Sequence, residues 1–160
     1  MTMSLQKLFE ASRFSQVALV VRDIEEVKKN WAAILGTEVP ATSPYMDPAV
    51  VHTKVLGEDA PDANSKLAFF NLVPGVQLEL IEPNEAHSVW RDEMEKSGEG
   101  LHHIAFTVDH IDEVAKELVD EYDAVIEQEG LYADASGKYI YLDLKKKLKV
   151  RVELLESFNK

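Results

Sequence analysis

The sequence predicts an α+β fold made of two tandem βαβββ modules, and three observations predict it. Residues 16–29, QVALVVRDIEEVKK, lie over residues 103–116, HIAFTVDHIDEVAK, without a gap; Ala18/Ala105, Val21/Val108, Ile24/Ile111, Glu26/Glu113, Val27/Val114 and Lys29/Lys116 are identical. A second pair, VQLELIE at 76–82 and VRVELLE at 150–156, keeps the same order within each half, so the chain reads as a tandem duplication with a shorter second copy. Each copy also switches from period-two alternation to helical spacing at the same point, the mark of a strand running into a helix.

In the first copy Val17, Leu19 and Val21 share one strand face and Gln16, Ala18 and Val20 the other. Asp23 is a predicted N-cap, Ile24, Val27, Trp31 and Ile34 or Leu35 follow at helical spacing, and Gly36 is the stop. The second copy repeats the pattern with Asp109, Ile111, Val114, Leu118 and Val119. Further strands are predicted at 50–56, 66–72 and 76–82, then at 124–128, 138–144 and 149–156, separated by the turn-rich stretches 57–64, Pro74-Gly75, Ser136-Gly137 and 145–147. A linking helix is expected over 88–96, closed by Gly98 and Gly100, and a short helix over residues 5–9. The organisation is thus an N-terminal extension (1–13), a first module (14–83), a linker (84–100) and a second module (101–157) within one domain.

Composition excludes several classes of function. Lys and Arg number 17 against 29 Asp and Glu, a net charge of −12, so no basic surplus exists to neutralise nucleic-acid phosphates. The chain has no Cys, which rules out disulfides, thiolate metal sites and a Cys nucleophile. No apolar run is long enough to span a bilayer, and residues 1–14 match neither a signal nor a transit peptide, so the expected location is cytoplasmic, with no membrane partner.

Strand parity selects the candidate site. Gln16 and His103 occupy equivalent positions on the first strands of the two copies, and Glu79 and Glu153 equivalent positions on the last strands. Taken singly, each has a bland reading: a Glu on an alternating strand is ordinarily solvated, and a lone His or Gln ordinarily makes structural hydrogen bonds. Taken together, both copies place metal-competent donors at matched positions beside small or apolar neighbours, Ala18, Ala105 and Ile81.

The strings GEGLHHIAFTVD at 98–109 and LELIEP at 78–83, with the paired βαβββ layout, resemble the vicinal oxygen chelate superfamily over residues 14–156. This superfamily includes glyoxalases, methylmalonyl-CoA epimerases, extradiol dioxygenases and bleomycin or fosfomycin resistance proteins. The resemblance implies a curved mixed sheet around a divalent metal held by Gln16, Glu79, His103 and Glu153, with Zn, Ni, Co or Mn suited to that oxygen-rich shell. It implies proton transfer alpha to a carbonyl, with Glu153 or Glu79 as the base. The strings around Glu79 and His103 look most like methylmalonyl-CoA epimerases, whose first ligand is ordinarily His rather than Gln16. The Gln/Glu/His/Glu set resembles glyoxalase I, which acts on a thiol hemithioacetal, and a metal-free, small-molecule-sequestering protein is the reading from another class. The implied partners are an acyl-CoA or thiol-adduct substrate and a second copy of the chain as a homodimer.

Secondary features complete the reading. His52 falls near an early strand where epimerases place a further carboxylate, as a second acid or base or an exposed His. His87, His102 and His110 are assigned to the surface or to structural hydrogen bonds, and Trp31 and Trp90 to core or interface. Lys54, Lys66, Lys138 and the 145–149 run are the candidate basic rim for an anionic substrate.

Overall fold

The structure, a computed structural model, describes residues 10–159, so the short helix expected over 5–9 lies outside the described residues. After a 3-10 turn (Ala11–Arg13) the first module runs β1 (Phe14–Val20), α1 (Ile24–Leu35), α2 (Pro48–Val51), β2 (Lys54–Val55), β3 (Glu58–Asp59), β4 (Ser65–Val73) and β5 (Val76–Pro83). Helix α3 (Val89–Ser97) leads into β6 (Gly100–Thr107), α4 (Ile111–Tyr122), β7 (Val125–Leu131), β8 (Gly137–Asp143), α5 (Lys145–Leu148) and β9 (Arg151–Ser157). The strands form one curved mixed sheet in the order β3-β2-β7-β8-β9-β6-β1-β5-β4.

The duplication is visible at the centre of that sheet. Strand β1 pairs parallel with β5 and β6 parallel with β9, while β1 and β6 join the halves antiparallel. One sheet face is covered by α1 and α4. Val21, Ile24, Ala32, Phe70, Leu78 and Leu80 pack under α1, with Trp31 and Val27 against them, and Ile111, Val114, Leu118, Ile140, Leu142, Val152 and Leu154 pack under α4. The opposite face carries Ala18, Val20, Ile81, Tyr139 and Tyr141, closed over by Val89, Trp90 and Met94 of α3.

The helix signals fall where expected at α1: the Asp23 side chain accepts from the Glu26 N–H, and Gly36 ends the helix in the left-handed region at φ 67°. The apolar stripe of α1 ends at Ala32, however, because Ile34 points to solvent with 81% of its surface exposed. At α4 the expected cap from Asp109 is replaced: His110 is the N-cap, and the Glu156 carboxylate accepts from the His110 and Ile111 N–H groups. Its repeat equivalent Glu82 accepts from the Ile24 N–H. Both modules therefore tie the last strand to the first helix through a carboxylate at the helix N-terminus, where the dipole favours negative charge.

The strand expected at 50–56 is corrected. Asp47 caps a short helix with Pro48 at its first position, a start signal that overrides the apolar run Ala49-Val50-Val51, and His52 closes it in the left-handed region at φ 47°. The chain then turns back at Leu56-Gly57, both with positive φ (50° and 81°), as a two-residue hairpin between β2 and β3 requires. On its other side β2 pairs with β7 of the other module, Lys54 against Glu129 and Val55 against Gln128, so the first module lends the β2–β3 hairpin to the edge of the second. In the second copy β7 runs on to Leu131, past the predicted end at 128, and Lys145–Leu148 forms a helical turn rather than a plain loop.

Replacing Glu156 with Ala removes the acceptor for two backbone donors of α4. It should lower stability by about 1 kcal/mol in urea unfolding, with Gln at that position recovering part of the loss.

Candidate metal centre

The central strands deliver four side chains to the open sheet face. Register places Ala18 of β1 beside Glu79 of β5 on one side and His103 of β6 on the other, and Gln16 beside Ala105, which is itself beside Glu153 of β9. The small Ala18 and Ala105 leave space above the sheet, and the longer side chains around them converge there. Gln16, Glu79, His103 and Glu153 are all buried, with His103 fully so. The His103 Nε2 stands 2.9 Å from a Glu153 oxygen and 3.5 Å from a Glu79 oxygen, and one ligand atom from each of the three residues lies within 4.8 Å of the others.

The polar atoms of this group face one another without hydrogen-bond partners. Gln16 Oε1, Glu79 Oε2, His103 Nε2 and Glu153 Oε2 are each buried and unpaired. The Gln16 amide is oriented from behind: its Nε2 donates to Gln77 Oε1 at 3.4 Å, leaving Oε1 for the centre. Buried polar atoms are ordinarily paired, so four unpaired atoms around one point need a common partner. Two carboxylate oxygens, an amide oxygen and an imidazole nitrogen fit a divalent cation, whose charge the two carboxylates balance. The residues present thus fit the metal that the sequence resemblance implies.

The protonation behaviour agrees with this geometry. Burial, reinforced by the charge of Glu153, pushes Glu79 up to about 8, and the opposing pull of His103 is smaller. Burial likewise pushes Glu153 up to about 8 against a hydrogen bond from Tyr141. His103 falls to about 4 because burial disfavours the imidazolium more than Glu79 favours it. A metal-free site thus holds protons on its carboxylates and keeps His103 neutral.

A cavity of roughly 630 Å³ opens onto the site, with Gln16, Glu79 and Glu153 in its wall. Its lining is aromatic and apolar: Tyr45, Phe69, Trp90, Tyr132, Tyr139 and Tyr141, with Met46, Leu67, Leu131 and Leu155. Trp90 Nε1 donates to the Tyr141 hydroxyl at 3.0 Å, so the residue expected as core or interface also shapes the cavity wall. Among the described residues no Lys or Arg lines it.

The candidate basic rim is engaged elsewhere. Lys138 pairs with Asp112 and Glu129, Lys145 with Glu93, and Lys146 and Lys147 with Asp123. Lys66 pairs with Glu82 and rests over the Tyr45 ring, and Lys54 is exposed at the sheet edge. His52 is exposed at the end of α2 and does not line the cavity. His87 sits at the surface against Asp92, and His110 caps α4.

Four residues contribute beyond those the sequence singled out for the site. Tyr139 and Tyr141 share one strand parity opposite the apolar Ile140 and Leu142, a signal that could have placed them on the site face. Buried Arg151 pairs with Glu93 and Glu127 and donates to the His102 carbonyl, which braces β6 behind the site. His102, assigned to a structural hydrogen bond or the surface, is buried and contacts both His103 and the Val89 carbonyl.

The chain is thus a curved sheet whose paired parallel strands meet at an antiparallel centre and carry a buried Glu-His-Glu group that could hold a metal ion. The chain belongs to the glyoxalase/bleomycin resistance protein/dioxygenase superfamily, whose profile it matches over residues 15–142. It is 28% identical over 145 residues to the uncharacterized protein YqjC of Bacillus subtilis strain 168, spanning 91% of this chain and 92% of that one. Among solved structures it is similar in fold to BH1468 of Bacillus halodurans C-125 (TM-score 0.62, 21% identity, 92% of this chain and 95% of that one). It is also similar to methylmalonyl-CoA epimerase of Mycobacterium tuberculosis (TM-score 0.62, 21% identity, 97% and 93%). The Streptomyces coelicolor epimerase in complex with 2-nitronate-propionyl-CoA gives a TM-score of 0.61 at 24% identity, covering 91% of this chain and 97% of that one.

Metal uptake should release protons, and its apparent affinity should climb with pH. Glu79 and Glu153, raised to about 8 from 4.5, stabilise the metal-free fold fully below pH 4.5 and lose that contribution as pH rises through about 8. His103, lowered to about 4 from 6.5, acts oppositely, stabilising above 6.5 and losing it as pH falls through 4. Between pH 6.5 and 8 only the carboxylates titrate, so metal-free stability from this site falls while Zn²⁺ affinity rises. Calorimetric titration in buffers of different ionisation enthalpy counts the released protons.

Proposed function

We propose that this protein is a divalent-metal-dependent enzyme that moves a proton alpha to a carbonyl, in the manner of methylmalonyl-CoA epimerases. The observation that supports it is the set of four buried, unpaired ligand atoms at the end of an aromatic cavity. Gln16, Glu79, His103 and Glu153 would hold the metal, with Zn, Ni, Co or Mn as candidates. A bound dication supplies Lewis acidity that stabilises negative charge on the substrate's carbonyl oxygen.

The chain's own residues do the rest. Glu79 on β5 and Glu153 on β9 flank the central β1–β6 pair from opposite sides, and both line the cavity. One carboxylate, ionised, takes the proton from the α-carbon, the C–H electron pair moves to the carbonyl oxygen as an enolate, and the other, which carries a proton at the start of the step, returns it to the opposite face, so that the two exchange protonation states. Configuration inverts with no net change in composition. Tyr141, hydrogen-bonded to Glu153 and to Trp90, orients one of the two acids. The aromatic walls exclude water from the enolate.

The cavity takes only the reacting end of a thioester substrate, since no cation in its wall would meet the phosphates of CoA. A second reading, glyoxalase I-like isomerisation of a thiol hemithioacetal, is favoured by Gln16 standing where epimerases ordinarily have His. A metal-free sequestering protein is disfavoured, because two unpaired carboxylates buried within 4.8 Å of the same imidazole gain nothing without a cation. By the likeness to its superfamily, a cytoplasmic homodimer is the proposed working form.

The test follows solvent deuterium into the α-position of methylmalonyl-CoA, beside a hemithioacetal assay, on metal-loaded protein. Exchange into methylmalonyl-CoA that falls about 10²- to 10⁴-fold in Glu79→Gln and in Glu153→Gln is the expected result. Turnover of the hemithioacetal alone establishes the second reading instead. A protein that takes up no divalent ion overturns both.

A further inference from the structure

The second residue of the His102-His103 pair faces the candidate metal, and ordinary strand alternation would turn the first to the opposite sheet face. It does not, because the β1–β6 ladder slips at this point. Ala18 pairs with His103 but the next residue, Leu19, pairs with Leu101, so His102 is the extra residue of a bulge. The bulge keeps both rings buried and sets them edge to face, 5.1 Å between centroids at 83°.

Two contacts then determine where the protons lie. His102 Nε2 is 3.3 Å from the Val89 carbonyl oxygen, which only accepts, so this nitrogen carries the hydrogen. In the neutral ring His102 Nδ1 is therefore an acceptor. It lies 2.8 Å from His103 Nδ1, which must be the donor. His103 in turn keeps its proton on Nδ1 and presents a bare Nε2 lone pair to Glu79 and Glu153. Without His102 nothing would hold the proton on Nδ1, and the alternative tautomer would place a hydrogen on Nε2, which faces the Glu153 oxygen 2.9 Å away, and occupy the coordination position.

We propose that His102 is a positioning residue that fixes the tautomer and ring orientation of His103 so that its Nε2 is held ready for a divalent cation. The inference rests on the metal reading of the site. Its chemistry suits the charge present: a carboxylate in place of His102 would orient His103 equally well but add a third buried negative charge to a site whose two carboxylates already match a dication. Arg151, donating to the His102 carbonyl at 3.1 Å, holds the bulge in place from behind. Tyr141 packs edge-on against His102 and tilted against His103, with centroids at 5.4 and 4.9 Å.

The test has a spectroscopic arm and a binding arm. Long-range ¹H–¹⁵N spectra of the metal-free, full-length protein should show His103 protonated at Nδ1 and His102 at Nε2; an Nε2-protonated His103 overturns the proposal. His102→Phe keeps a ring against Tyr141 but removes the acceptor, and should bind Co²⁺ and Zn²⁺ about 10- to 100-fold more weakly with an altered Co²⁺ visible spectrum. His102→Asn, whose Oδ1 takes the place of Nδ1, should restore affinity to within a few-fold. A folded His102→Phe protein with wild-type affinity and spectrum sinks the role of His102 alone, whereas a wild-type protein that binds neither ion sinks the metal reading and the role with it. Should the Phe variant not fold, the wild-type spectra and the Asn variant still decide.

Discussion

The structure depends on burying two carboxylates against one imidazole at the centre of the sheet. At a separation near 5 Å, and with an effective dielectric of about 20, two ionised carboxylates repel by about 3 kcal/mol, a sizeable part of the 5–15 kcal/mol that holds a typical domain together. Desolvation is the larger effect and the main reason Glu79 and Glu153 hold their protons up to about 8, with the charge of Glu153 reinforcing it at Glu79. The fold accepts this because the strands that carry them are bound into the sheet on both sides by long ladders and have apolar residues packed under α1 and α4. A site so costly when empty is one built to be filled by positive charge, and a dication reverses the sign of each opposing effect at once.

The last strand of each module shows how the cost is distributed. Glu79 and Glu82 are three residues apart on β5, and Glu153 and Glu156 three apart on β9, so the members of each pair have opposite parity and leave by opposite sheet faces. The first of each pair enters the site, and the second reaches over the other face to the N-terminus of the helix. One short motif, glutamates flanking Leu80-Ile81 or Leu154-Leu155 a residue further on, thus couples the site to the scaffold that supports it. A shift of register by one residue would exchange the two roles and ruin both.

Legibility in the sequence followed this symmetry. Gln16, Glu79, His103 and Glu153 could be picked out because the repeat and strand parity are both local patterns; in the structure Glu79, His103 and Glu153 cluster, and Gln16 shares a cavity wall with the two glutamates. Where the fold departs from the repeat, the pattern misled. The run Val50-Val51 looks like a strand, yet Asp47-Pro48 starts a helical turn there, and the strand that follows pairs with β7 in the other module, a long-range choice no local period reveals. Of the two readings of His102, surface or structural hydrogen bond, the second holds, but its place beside His103 was not legible: a bulge is invisible to a period-two reading, and only the register slip after Ala18 sets the two rings together. The cavity wall at 43–47 has no periodicity to read, and its residues acquire a role only through the bridge of Ser43 to Leu67 and the hold of the Asn64 side chain on Met46.

The net charge of −12 acquires meaning from the way the cations are placed. Lys66, Lys138, Lys145, Lys146 and Lys147 are paired with carboxylates, and the best-buried arginine among the described residues, Arg151, is spent between Glu93 and Glu127. On the proposed reading, positive charge inside the cavity would come from a metal, since among the described residues no Lys or Arg lines it. On the proposed reading, a site holding a dication with one carboxylate ionised, the other protonated and Gln16 and His103 neutral would carry a single positive charge. Proton transfer would leave that total unchanged and move negative charge from the carboxylate to the substrate's carbonyl oxygen, in an aromatic, water-poor space. That is the circumstance in which a nearby cation acts more strongly on the transition state than on the bound substrate, and it is this difference, rather than tight binding, that accelerates a reaction.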